Sequence, residues 1–433
     1  MADWKTHSIQ QLNGKQERIR LSAKHQILME DWAGGWTENW TESWNRVAVL
    51  PFIAYIPEKN RILMLVSCGV PHQAVVLASD DWGGTWGEPI FVHSDESGKG
   101  NTGFGVALAY LGCGKASLWT WRYWCDRVEE RRWLRWHTQD YGQTWRQVSS
   151  TPLPGNGPWD PPLVESDPKT GQITRLWETA YLEDHSRKVW SQAYLRQSVD
   201  EGRSWSEWLE FPQWAGVNEV ALIRAKNGDL IGACRTDMPD RFVVRDPNTG
   251  AEISSLDHCE GLGVCISRDE GRTWSEVERL YEYGRHHPSL VLLSNGTIVM
   301  TYVARQGYVE TPDGAPQFGV EAVVSEDNGR SWDLDHRYIL SAWPGDPQAP
   351  KSWFRSSQAT SSVLLPDGSI LSAYGTGYRA MVPEDDPGRF KPRDVGLVNW
   401  RVNNESLDDD RTIANAAFDS DLRNRFDPLL STL

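Results

Sequence analysis

Acidic, basic and imidazole side chains gather in this sequence where short apolar runs begin and end. Asn218-Glu219 stands ahead of the run Val220–Ala225, and a second run, Leu230–Cys234, ends on Arg235, Thr236 and Asp237. Both Glu219 and Arg235 fall where apolar packing would otherwise be expected. The loop beyond them holds Asp257-His258-Cys259-Glu260-Gly261, and Asp160 lies just ahead of another candidate run that opens near Pro162. Arg285-His286-His287-Pro288 leads into Ser289–Leu293, and Arg305 follows Ile298–Val303. Two carboxyl groups can flank a glycosidic bond as acid and as base or nucleophile. Imidazoles such as His72, His258 and His287 can move a proton near neutral pH. Guanidinium groups can grip a carboxylate through two parallel hydrogen bonds. The structural alternative for each residue alone is a hydrogen-bonded or solvated position, and it is their concentration that points to a site. Adjacent histidines could suggest a metal, but neighbours on a strand face opposite ways, so neither a metal nor a cofactor is expected.

The elements that must position these groups are announced by an octapeptide, [S/T]-x-D-x-G-x-[T/S]-W. Its five copies begin at Ser79, Thr138, Ser198, Ser267 and Ser325, at start-to-start intervals of 59, 60, 69 and 58 residues. A fixed repeat of this size means an array of similar supersecondary units. The octapeptide reads as a hairpin turn. Its Asp accepts hydrogen bonds from N–H groups of its own turn, and its Gly supplies a positive φ. The Trp is expected to start the next strand and to bury its ring between neighbouring sheets. A calcium loop would need further oxygen ligands and a late Glu, which the copies do not supply at a common position.

The octapeptide resembles the Asp-box of the sialidase superfamily, where it joins the third and fourth strands of the blades of a propeller. The resemblance implies an all-β chain, one six-bladed β-propeller with five Asp-box repeats over residues 1–433. A sixth blade follows from Ser361–Leu365, Ile370–Tyr374 and Val395–Val402, without a box. Propellers often close by borrowing a strand from the other terminus, and the segment 3–21, with a strand near Ser8–Leu12, is the candidate. In such a fold the residues ahead of each inner strand and those after each second strand converge on one mouth of a central channel.

The resemblance further implies an exo-acting glycoside hydrolase of sialidase-like type that releases a terminal acidic sugar. Glu219 would polarise the nucleophile or act as base, and Arg235 would grip the substrate carboxylate. Arg46, in Asn45-Arg46-Val47-Ala48, resembles the first arginine of the family signature. Arg285 stands near the third, with Arg305 and His287 as alternatives. The sequence departs from the family at two places. Ser356-Ser357-Gln358-Ala359 occupies the position of the Tyr nucleophile, and Cys68-Gly69-Val70-Pro71-His72 occupies that of the Asp acid. Asp160, Asp237, Glu260 or His287 would then supply the acid, while His72, His258, Tyr308, Gln358 and Arg379 remain candidate substrate contacts. These departures give weight to a propeller polysaccharide lyase, in which His and Tyr remove the proton α to a uronate carboxylate. A carbohydrate-binding propeller without catalysis is the third reading.

The net charge of −15 disfavours nucleic acid or an anionic membrane surface as partner, although a locally basic pocket could still hold a small anion. The six cysteines form no C-x-x-C pair, and the N-terminal MADWKTHSIQ lacks the apolar stretch of a leader, so a cytoplasmic protein with free thiols is expected. Trp32, Trp36, Trp40 and Trp44 make a stripe at spacing four. A short helix docked on the propeller explains the stripe, and the sharper reading is a platform for a sugar ring.

Overall fold

The structure, a computed structural model, describes residues 5–12, 20–28, 48–68, 73–92, 103–122, 131–153, 155–167, 169–184, 189–240, 260–305, 317–334, 337–344, 359–375 and 395–402. These form twenty-five strands and one short 3₁₀ turn, Pro57–Lys59. Blade I is β3 (Ala48–Ile56), β4 (Arg61–Cys68), β5 (Gln73–Ser79) and β6 (Ile90–Phe91); blade II is β7 (Phe104–Gly112), β8 (Lys115–Arg122), β9 (Arg132–Thr138) and β10 (Arg146–Pro152). Blade III comprises β11 (Leu163–Ser166), β12 (Ile173–Glu183), β13 (Ser191–Ser198) and β14 (Leu209–Ala215). Blade IV comprises β15 (Val217–Arg224), β16 (Leu230–Thr236), β17 (Gly261–Ser267) and β18 (Glu278–Tyr281). Blade V has β19 (Arg285–Leu292), β20 (Ile298–Ala304), β21 (Gln317–Ser325) and β22 (Arg337–Pro344). Blade VI has β23 (Thr360–Leu364), β24 (Ile370–Gly375) and β25 (Val395–Trp400), and its fourth strand is β2 (Arg20–Leu28) from the other end of the chain. The inner strands β3, β7, β11, β15, β19 and β23 touch in that order and back to β3, so the molecule is an all-β, six-bladed propeller.

The closing strand is not the one expected. The strand near Ser8–Leu12 exists, as part of β1 (Lys5–Leu12). It pairs with β2 and, through Gln11 and Leu12, with β22 of blade V, while β2 runs antiparallel to β25 and completes blade VI. This topology explains the absence of a sixth octapeptide. In blade VI the third and fourth strands come from opposite ends of the chain, so no hairpin joins them.

The five octapeptides fold alike. Each begins on the last residue of a third strand (β5, β9, β13, β17 or β21). Its hydroxyl is buried and accepts from the glycine N–H, at 2.7 Å for Gly83 and 2.9 Å for Gly271. One Asp oxygen accepts the N–H of the seventh residue and the other its hydroxyl, as in Thr273 at 2.9 and 2.6 Å. The residue ahead of the glycine is also left-handed, with φ between 59° and 62° at Trp82, Tyr141, Glu201, Glu270 and Asn328. The tryptophans precede the fourth strands rather than starting them, directly at Trp145 and with a short stretch between at Trp86, Trp205, Trp274 and Trp332. Trp274 packs 4.9 Å from Trp214 across blades III and IV, and Trp332 joins the apolar cluster between blades IV and V.

Inner strands are sheet edges, whose free N–H groups need partners. Neighbouring blades supply some of them through hydroxyls: Ser361 to Ile53 N, Ser289 to Ser362 N and Ser67 to Gly105 N, at 3.0, 3.0 and 2.8 Å. Four inner strands also carry a bulge near their start, where the register against the second strand shifts. Within each bulge sits one left-handed residue, Leu50, Ala107, Glu219 or His287, with φ of 56°, 56°, 43° and 60°. A bulge re-aims the side chain that it carries, and in blades IV and V that side chain is ionisable.

Candidate active site

Glu219, at the β15 bulge, is 3% exposed. Its Oε1 accepts from Arg235 Nη1 at 2.7 Å. Arg235 faces it because β16 pairs Arg235 with Asn218 immediately before the bulge. The Nε and Nη2 groups of Arg235 both point at Glu260 Oε2, from the residue just before β17. One guanidinium therefore bridges two buried carboxylates. A buried carboxylate keeps its charge only when paired and hydrogen-bonded, and Arg235 provides this for both.

His287 holds the equivalent bulge in β19, with Nε2 4.0 Å from Glu219 Oε2. The indole N–H of Trp159 donates to that same Nε2 at 2.6 Å. An indole nitrogen can only donate, so Nε2 carries a lone pair, and the neutral imidazole keeps its proton on Nδ1. The Phe52 ring of blade I stands 6.4 Å away, and Trp121 meets Trp159 edge-on at 6.2 Å. Trp121 and Trp159 are half-buried, which leaves ring surface at the mouth.

Asp160 follows Trp159 and is 2% exposed. Its Oδ2 is buried without a hydrogen-bond partner. Burial first, and the charge of Glu219 second, push the Asp160 carboxyl well above the ordinary carboxylate range. Tyr181, late in β12, feels Glu219, Asp160 and Arg235; burial is the largest of the effects that raise its phenol well above the usual value. Asp160 also lines a channel of 310 Å³ between the inner strands.

The mouth therefore assembles five residues expected from sequence: Asp160, Glu219, Arg235, Glu260 and His287. Trp159 and Tyr181 were missed. Tyr181 lies late in a second strand, as Arg235 does, and the convergence rule applied to blade III points to it. Trp159 is signalled only by its place beside Asp160. Three other expected residues are held by contacts of their own. Arg285 is fully buried and pairs with Glu321 through two bonds of 3.0 Å, over the ring of Tyr281, within the interface of blades IV and V. Asp237 accepts the N–H groups of Trp190 and Ser191 at 3.1 and 3.3 Å, which ties β16 to the start of β13. Its burial raises the carboxyl above its ordinary value. Arg305 is buried, and its backbone N–H donates to Gly284 O at 3.0 Å. Arg46, His72, His258, Tyr308, Gln358 and Arg379 lie outside the described residues, as does the stripe from Trp32 to Trp44.

No protein-family model and no curated protein matches the chain. Solved structures do. A protein of unknown function from Dyadobacter fermentans is similar over 88% of this chain and 98% of its own, at 15% identity and a TM-score of 0.57. The NanB sialidase of Streptococcus pneumoniae is similar over 83% of this chain and 69% of its own, at 13% identity and 0.51. The chain has the propeller fold of the sialidases. An α-L-arabinofuranosidase from Fusarium graminearum shares that fold over 83% of this chain and 94% of its own, at 12% identity and 0.50. Identities this low establish the architecture and leave the chemistry to the residues at the mouth.

Proposed function

We propose that this propeller is an exo-acting glycoside hydrolase whose reaction is carried by Asp160 and Glu219. The observation behind this reading is the opposite environment of two carboxyl groups at one mouth. Asp160 is dry and keeps its proton at a pH where an ordinary aspartate has lost it. Glu219 instead has a guanidinium against its Oε1, at 2.7 Å. Groups whose environments divide them in this way can act as acid and as base or nucleophile. Asp160 would protonate the leaving oxygen, and Glu219 would activate water or attack the anomeric carbon. His287 lies beside Glu219 with its Nε2 engaged by Trp159, and it orients the site. The half-buried rings of Trp121 and Trp159 offer a face to the sugar.

A terminal acidic sugar is the substrate that the sialidase-like motifs suggest, and a glycan ending in one would be the partner. A terminal neutral sugar is the second reading, and a specific observation favours it. Arg235 is already shared by Glu219 and Glu260, and Arg285 is matched by Glu321. Incubation with aryl sialosides, uronides and arabinofuranosides, with product sugar and ultraviolet absorbance read together, tests these alternatives. Release of a saturated sugar that is lost in Glu219→Gln supports the hydrolase and names the sugar. An unsaturated uronate would move the chemistry to a lyase. No turnover on the whole panel, with sugar still bound, would leave a binding propeller.

A further inference from the structure

A second cavity, of 540 Å³, opens between blades II and III. Thr138 and Gln139 of one octapeptide and Gly202 and Arg203 of the next line it. It therefore lies where third strands finish, whereas Asp160 and Glu219 lie where inner strands begin. Its walls carry Lys115, Arg135, Arg146, Arg196 and Arg203, with Glu201 as the one carboxylate among the lining residues.

Two carboxylates serve four of these five cations. Glu178 takes Arg135 on one oxygen and Arg196 on the other, the latter at 2.5 and 2.7 Å. Glu201 takes Lys115 at 2.7 Å and Arg203 at 3.6 Å. Arg146 has no carboxylate partner among the described residues. The cavity thus holds excess positive charge in a chain whose net charge is −15. Part of that charge is buried, since Arg135 is 4% exposed and its Nε has no hydrogen-bond partner. Stacking fixes the guanidinium planes: Arg135 lies 4.4 Å from Trp119 and 4.5 Å from Trp205, and Arg196 lies 4.7 Å from Trp205 and 4.1 Å from Trp208. Stacked arginines lose little freedom on binding a tetrahedral oxyanion. His137 is pushed down to about 4, by burial first and then by Arg135 and Arg146, so it lines the cavity as a neutral imidazole. Gln139, Ser149 and Thr151 offer hydrogen bonds that a bare ion would not use, and the volume falls within the range of about 300–1,000 Å³ typical of small-molecule sites.

We propose that this cavity is a binding site for a sugar carrying a sulfate or phosphate group, with the anion held between the deep pair Arg135 and Arg196 and the rim pair Arg146 and Arg203. The reading does not depend on catalysis at the mouth. Calorimetric titration of the full chain with glucose 6-sulfate, glucose 6-phosphate, inorganic phosphate and glucose tests it. Both esters are expected to bind saturably, more weakly as salt rises, and glucose is expected not to bind. Inorganic phosphate binding as tightly as the esters would assign the free ion to the same site. The double variant Arg146→Ala/Arg203→Ala removes exposed side chains and is expected to weaken ester binding about tenfold or more, with an unchanged melting temperature. Absence of saturable heat with every anion, or equal ester affinity in a folded double variant, would overturn the proposal. Turnover at the mouth, followed separately, is expected to be the same in this variant.

Discussion

Leu50 and Glu219 occupy the same place in two blades. Both sit in a bulge near the start of an inner strand, both are left-handed, and both are buried. Leu50 belongs to the apolar cluster shared by blades I and II. Glu219 faces Arg235 and His287. The strained backbone is therefore a property of the propeller, and the proposed chemistry draws on an ionisable side chain at a position that the propeller repeats. Strain of this kind often accompanies function. Here it recurs in blades whose bulge residue is Leu or Ala, so strain alone does not mark the site.

Substitution at the two positions separates scaffold from chemistry. Glu219→Gln is expected to lower kcat/KM about a thousandfold with little change in melting temperature, measured on the substrate that the glycoside panel identifies. Leu50→Ala is expected to lose about 3 kcal/mol of unfolding free energy in urea while kcat per folded molecule holds. If Leu50→Ala lowered kcat as far as Glu219→Gln does, the division between the blades would collapse.

Asp160 sharpens the comparison through pH. Its folded carboxyl is raised above the ordinary value, so the protonated form needed for acid catalysis survives beyond the range of an unperturbed aspartate. Activity is expected to fall as pH rises through that raised value. Asp160→Asn is expected to lower kcat about a hundredfold and to abolish the alkaline limb. Stability moves the other way. A raised carboxyl destabilises the fold above its unfolded value, so the Asn variant is expected to melt higher than the parent at neutral pH.

Much of this architecture was legible because it rests on repeated local chemistry. The octapeptide writes its turn in side chains, hydroxyl, Asp and Gly, and five copies fix five hairpins. Glu219 and Arg235 were legible because charge interrupts apolar strands, and Asp160 because it stands just ahead of one. The bulges were not, since Leu50, Ala107, Glu219 and His287 share no residue type and a left-handed turn inside a strand leaves no common mark. Closure by β2 instead of the strand at Ser8–Leu12 was hidden because register between chain ends is a tertiary fact. Arg285 reads like a channel arginine in sequence. Glu321, 36 residues later, captures it, and no local pattern announces that pairing.

At the octapeptides, smaller effects separate backbone from packing. Gly329 has φ 81°, and an added Cβ would lie 2.9 Å from Ile231 of the preceding blade. Gly228, in the β15–β16 turn, has φ 94° and nothing within 4 Å of that point. Both alanine variants meet the left-handed penalty, but only Gly329→Ala also presses into a neighbouring blade. Gly329→Ala is expected to lose about 2 kcal/mol and Gly228→Ala about 1 kcal/mol in urea unfolding. Equal losses would mean that the octapeptide glycine serves its turn alone and not the blade interface.

The carboxylates at the two ends of the blades should answer acid in opposite directions. Hydrogen bonds from Ser204 and Thr273 hold Asp200 and Asp269 down to about 2, whereas burial holds Asp160 up. A depressed carboxylate contributes stability that is present above its unfolded value, near 4, and is lost as pH falls toward its folded value. Acidification from about pH 5 toward pH 2 is therefore expected to lower the melting temperature through the octapeptides. Asp160 opposes this slightly, because its folded form already holds the proton that acid supplies. In Asp269→Asn the acid-dependent drop should shrink, since an amide cannot titrate, while in Asp160→Asn it should not. Melting curves of the three proteins across that range read the difference. An equal slope in Asp269→Asn and the parent would mean that other carboxylates carry the acid lability.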